Sequence, residues 1–115
     1  MKKTVTIKEN RLFRRIYHKG RSAVTPFLVL YCRPNSLGHN RLGITVSTKL
    51  GGAVVRNRAR RRLREVFRLA QPQLRQGYDV VLVARSRAVS GPYDKLTAAF
   101  LRACREVGLA EKERP

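Results

Sequence analysis

The chain has 115 residues, of which 26 are Lys or Arg and seven are Asp or Glu, for a formal net charge of +19. That length makes one small domain with a modest core, and so large a basic excess points to a polyanionic partner. A membrane-spanning helix is excluded, because the longest apolar runs, 26–32 and 80–84, are far too short to cross a bilayer.

The charge is uneven. Residues 1–68 carry 18 Lys and Arg against two acids, whereas residues 69–115 carry eight against five, so the binding surface is expected in the first two thirds. Met1-Lys2-Lys3 leads into polar residues rather than an apolar segment, which predicts no secretory signal and a cytoplasmic chain. Cys32 and Cys104 stand alone and are expected to be reduced core residues, and no Cys/His spacing suggests a metal site.

Thr6-Ile7-Lys8-Glu9 fits a capping box, predicting a helix over 7–18 that stops at Gly20. Phe13 and Tyr17 share one edge of its apolar side. Core packing and nucleic-acid stacking are equally open for them, because Arg11, Arg14, Arg15 and Lys19 surround the rings. Residues 27–33 read as a strand with Pro26 at its mouth. Turn chemistry over 34–40 predicts an antiparallel hairpin to a second strand at 41–48.

Gly51-Gly52 breaks that strand and starts the most regular segment of the chain, a helix ending by Gln71-Pro72. At about 100° per residue, Val55, Ala59, Leu63, Val66, Phe67 and Ala70 gather on one apolar arc. Arg56, Arg60, Arg64 and Arg68 run up one flank, with Asn57 and Arg61 beside them and Arg58 and Arg62 behind. Like charges four apart cost roughly 0.2–0.5 kcal/mol per pair, and the pairs 56/60, 58/62, 60/64 and 64/68 sum to about 1–2 kcal/mol of self-repulsion. A local rule broken this heavily marks a functional surface. No phosphate-loop pattern follows the glycine pair.

Residues 78–84 form a continuous apolar run, as a strand buried on both faces requires, and are expected at the centre of the sheet. Ser90 and Pro92 suit the start of a last helix that Gly108 ends. Tyr93, Leu96, Thr97, Phe100, Leu101 and Cys104 recur at helical spacing and are expected to form its core stripe. Residues 1–6 and 109–115 are expected to be flexible tails of a single domain spanning 1–115.

The seven acids are scattered, with no pairing that would hold catalytic metal ions. His18 and His39 are placed like solvated residues rather than an acid–base pair. No catalytic residue and no metal or cofactor bound by the protein alone is expected, so the chain reads as a binder.

Arg41-Leu42-Gly43-Ile44-Thr45-Val46-Ser47-Thr48-Lys49-Leu50-Gly51-Gly52-Ala53-Val54-Val55-Arg56-Asn57-Arg58, followed by Arg60, Arg61, Arg64, Glu65 and Phe67, closely resembles the signature of the bacterial ribonuclease P protein subunit. Phe13, Tyr17, Gly20, the strands near 27–31 and 79–85 and the final helix extend the resemblance over nearly the whole chain. It implies an α+β fold, a single-domain α-β sandwich of order α-β-β-β-α-β-α with a left-handed βαβ crossover. It also implies a subunit of a ribonucleoprotein endonuclease that removes the 5′ leader of precursor tRNA. The partner RNA would hold the magnesium ions and the catalytic site, and no membrane or obligate protein partner is expected.

On this resemblance Arg56, Asn57, Arg58, Arg60, Arg61 and Arg64 would face RNA, with Arg68 continuing their flank. Phe13, Tyr17 and Tyr31, with Ser47 and Lys49, would line a cleft for the single-stranded leader. Thr48 stands where the family commonly has a basic residue, which weakens one phosphate contact. Arg62 stands where an apolar residue is frequent and is expected to add charge to the back of the helix. The alternatives are a ribosomal or other structural RNA-binding protein, which charge alone would favour, and a small nuclease in its own right.

Overall fold

The computed structural model describes residues 5–7 and 10–111. Its elements run β1 (Val5–Thr6), α1 (Asn10–Lys19), β2 (Arg21–Val24), β3 (Leu28–Pro34), β4 (Arg41–Thr45), α2 (Ala53–Ala70), β5 (Tyr78–Ala84), a short α3 (Arg87–Ser90) and α4 (Tyr93–Glu106). The strands form one sheet of order β1-β4-β5-β3-β2. It is sandwiched between α1 on one face and α2 with α4 on the other, the α+β architecture expected.

β5 takes the centre because both of its faces are apolar. Val80, Leu82 and Ala84 join Leu28, Leu30 and Cys32 of β3, Leu42 of β4, Ala59, Leu63 and Phe67 of α2, and Leu96, Phe100 and Cys104 of α4. Phe67 and Phe100 meet edge to face with centroids 6.2 Å apart. On the other face Val81 packs with Ile7 and Ile16, with Leu12, Phe13, Tyr31 and Val83 around them. Full burial of Leu63, Val66 and Phe67 contributes about 1.5–3 kcal/mol each, which outweighs the repulsion along the arginine flank.

The expected β3–β4 hairpin is not formed. β5 lies between them, antiparallel to β3 and parallel to β4, so α2 is the crossover joining two adjacent parallel strands. The 34–40 turn instead spans the end of β5 and is held there by two asparagines. Asn35 Nδ2 donates to His39 O and Asp79 Oδ1. Asn40, with no exposed surface, donates to Arg75 O and accepts from Tyr78 N.

The helix start at Thr6 is also corrected. Thr6 pairs in parallel register with Leu42, and Ile7 N donates to Leu42 O at 2.8 Å, so this backbone extends the sheet edge and α1 begins at Asn10. Glu9, the other half of the expected box, lies outside the described residues. Ser90 does not cap α4. It ends α3, and Pro92 occupies the cap position. At the other end Gly108 adopts φ +81°, and Leu109 and Ala110 then fold back, both donating to Cys104 O. Their burial places them in the core rather than in a tail.

β4 stops at Thr45 instead of Thr48. Ser47 Oγ accepts from Lys49 N at 3.1 Å and opens a tight turn over Thr48–Leu50. Gly51, at φ +146°, follows, where a Cβ would fall 2.9 Å from Val55 Cβ, so the turn into α2 needs a glycine.

Candidate nucleic-acid interface

α1 covers only part of its sheet face. Phe13 sits on Gly43, where an added Cβ would approach the ring to 2.7 Å, so the missing side chain lets the helix lie close to β4. Beyond α1 the register aligns Val24, Val29, Val83 and Thr45 on the uncovered part of the face, and Val24 is 63% exposed.

Between α1, β4 and α2 this leaves a cleft of about 700 Å³, lined by Asn10, Phe13, Arg14, Tyr17, Ile44, Thr45, Val46 and Arg60. Tyr17 packs edge-on against Tyr31 with centroids 4.8 Å apart and lies 6.4 Å from Phe13. Its hydroxyl is 3.3 Å from Thr45 Oγ1. Tyr17 remains 37% exposed, so the rings offer open π-surface instead of closing into the core. Such faces accept a base without reading its hydrogen-bonding edge.

A groove of about 360 Å³ runs along the outer side of α2, lined by Val54, Asn57, Arg60, Arg61 and Arg64. Arg60 belongs to both concavities, and its Nη1 donates to Asn57 Oδ1 at 3.3 Å. The aromatic cleft and the basic groove are therefore contiguous.

The other expected site residues divide. Arg58 is exposed but lines neither concavity. Arg56 is half-buried, its Nε closed off without a hydrogen-bond partner. Arg68 is ion-paired with Glu65 at 2.6 Å, and this partner holds the Glu65 carboxyl below its usual range. Tyr31 reaches the cleft only through Tyr17. Ser47 and Lys49 are exposed on the turn leaving β4 and do not line the cavity.

Arg62 does not add free charge to the back of the helix. Its guanidinium donates to the carbonyls of Ala88, Val89 and Gly91 at the end of α3 and lies 5.8 Å from the Tyr93 ring. Asn10 and Arg14 line the cleft without having been expected there, although 10, 13, 14 and 17 share one helical stripe, which is the signal the sequence offers for them. Thr45 and Val46 carry no such signal, since their place depends on where α1 crosses the sheet.

Neither thiol suits nucleophilic chemistry. Burial pushes Cys32 up to about 11 and Cys104 up to about 12, so both stay protonated near neutrality. Among the described residues no three His, Cys, Asp or Glu side chains come together to hold a metal ion, and no helix is long and apolar enough to cross a membrane.

Comparison with known proteins identifies the family and the fold. The family model described as Ribonuclease P matches residues 1–108. The ribonuclease P protein component of Natranaerobius thermophilus is 44% identical over 112 residues, covering 97% of each chain. The solved RNase P protein of Staphylococcus aureus superposes with a TM-score of 0.82 at 33% identity, covering 95% of this chain and 100% of that one. That of Thermotoga maritima gives 0.78 at 26% identity, covering 95% and 98%. A family model matched over residues 1–108 and a relative 44% identical over 97% of each chain place the chain in the ribonuclease P protein family, the protein component of the RNA-based endonuclease ribonuclease P.

Proposed function

We propose that the chain binds the catalytic RNA of ribonuclease P along the α2 groove and the 5′ leader of precursor tRNA in the cleft. It thereby raises substrate affinity and lowers the magnesium requirement of the cleavage. The observation that carries this reading is the sharing of Arg60 between cleft and groove. A leader strand stacked on Phe13 and Tyr17 meets the same guanidinium that borders the phosphates on α2, so substrate and RNA subunit are held in one register.

The magnesium ions belong to the RNA on this reading. Glu65 and Asp79 are engaged by Arg68 and Arg41, which supports assigning this chain to binding and orientation. Its place of work on the same reading is the cytoplasm. Precursor tRNA incubated with the chain alone should stay intact. With the cognate RNA, adding the chain should lower the magnesium needed for half-maximal cleavage. Cleavage by the chain alone would favour a nuclease, and no effect on the RNA's magnesium requirement or substrate affinity would favour a structural RNA-binding protein.

A further inference from the structure

A third concavity lies on the flank of α1 turned away from the cleft. It measures about 220 Å³ and brings together Arg15 of α1, Arg33 of β3, Asn35 and Ser36 of the following turn, Arg41 of β4 and Asp79 of β5. Its floor is rigid and electrically balanced. Asp79 is 5% exposed. Its Oδ1 accepts from Arg41 Nε at 2.7 Å and from Asn35 Nδ2 at 2.9 Å, and its Oδ2 accepts from Arg41 Nη2 at 2.7 Å. The carboxylate is thus matched by one guanidinium in the bidentate geometry that the two groups favour. Asn35 Oδ1 accepts from Leu37 N, and Ser36 is held at φ +61°, so the rim is fixed as well.

What is left over is charge. Arg15 and Arg33 come from different layers of the fold to the same small concavity, and among the described residues neither has an ion-pair partner. Among the described residues three guanidiniums and one carboxylate line the concavity. Two unmatched cations at a concave site repel each other unless an anion lies between them, and the guanidinium fork suits phosphate oxygens. The lining offers guanidiniums and no aromatic ring, which suits a phosphate group rather than a stacked base.

We propose that this pocket binds one phosphate group, gripped by Arg15 and Arg33 over the Arg41–Asp79 floor. Two sources share that chemistry, a phosphodiester of an RNA backbone and free inorganic phosphate. The site is independent of the cleft: α1 sends Arg14 to one side and Arg15 to the other.

The test uses the full-length, isotopically labelled chain and follows arginine side-chain N–H resonances by NMR. Inorganic phosphate should shift the Arg15 and Arg33 signals saturably, whereas chloride at matched ionic strength should not. A single-stranded RNA oligonucleotide should shift the same two signals, and should still do so with Tyr17→Ala, which separates this pocket from the cleft. In the holoenzyme, Arg15→Gln with Arg33→Gln should reduce the log-log salt slope of RNA binding by roughly 0.7–0.9, the value for one phosphate no longer neutralised. Saturable shifts with phosphate together with an unchanged slope would support the pocket and assign it to free phosphate. No saturable shift with either probe in the unmodified chain would overturn the proposal, whatever the variants do.

Discussion

Arg62 Nη1 donates to the carbonyl oxygen of Val89 at 2.7 Å, tying the middle of α2 to the end of α3. The same guanidinium reaches Ala88 O and Gly91 O and lies over Tyr93. Its charge is thereby spent on carbonyls at a helix C-terminus, where a cation is favourable. Arg62→Leu should lower unfolding stability by about 1–3 kcal/mol, because hydrogen bonds to a charged donor disappear, as read from urea denaturation. RNA affinity and its salt slope should stay the same. A smaller slope without loss of stability would mean that the side chain faces RNA.

Arg60→Ala and Arg64→Ala should each reduce the salt slope of RNA binding by roughly 0.7–0.9 for every phosphate that the guanidinium neutralises. Each should also make the isolated chain slightly more stable, since each removes two like-charge i,i+4 pairs, worth roughly 0.2–0.5 kcal/mol per pair. Arg68→Ala should have the smaller effect on RNA, because Glu65 already engages that guanidinium. Filter binding over a salt series, paired with thermal melts, measures both quantities. An unchanged slope for Arg60 and Arg64 would leave that face idle.

Tyr17→Ala should weaken binding of leader-bearing precursor tRNA by roughly 1–3 kcal/mol per base unstacked, and mature tRNA far less. Tyr17→Phe keeps the ring and removes only the hydroxyl beside Thr45, so it should retain most of the affinity. Equal losses for precursor and mature tRNA would return the ring to a packing role.

Burial raises Cys32 to about 11 and Cys104 to about 12 from an ordinary 9.0. The folded chain therefore keeps both thiols protonated where the unfolded chain ionises them. Their contribution to stability is fully present below about pH 9 and is lost as pH rises toward 11–12. The urea midpoint should fall over that window, and less steeply in a Cys32→Ala, Cys104→Ala variant. An equally steep fall would assign the alkaline loss to other groups.

Much of the fold is legible in periodicity. The α2 stripe from Ala59 to Ala70 is buried as the helical wheel requires, and the two-sided apolar run of β5 is central because no edge position could cover both its faces. β2 is not legible apart from the resemblance, since only Ala23 of its four residues is buried and an edge strand of that kind shows no alternation. The expected hairpin fails because turn residues at 34–40 signal a reversal without saying which strand comes next to it. That neighbour is decided by β5, which lies beyond the whole of α2 in the chain.

Residue order alone requires that one helix bury an apolar arc and present an arginine face, because side-chain order along a helix sets its geometry. It also carried the family resemblance and the aromatic pair one helical turn apart. Which arginines are free depends on how the elements pack. By residue type Arg62 and Arg68 are no different from Arg60 and Arg64, yet Arg62 is bound to the carbonyls of α3 and Arg68 is paired with Glu65, and of the four it is Arg60 that borders both cleft and groove. The physical reason is that charge is a property of a residue, whereas its availability depends on which carbonyl or carboxylate the fold brings within hydrogen-bonding reach.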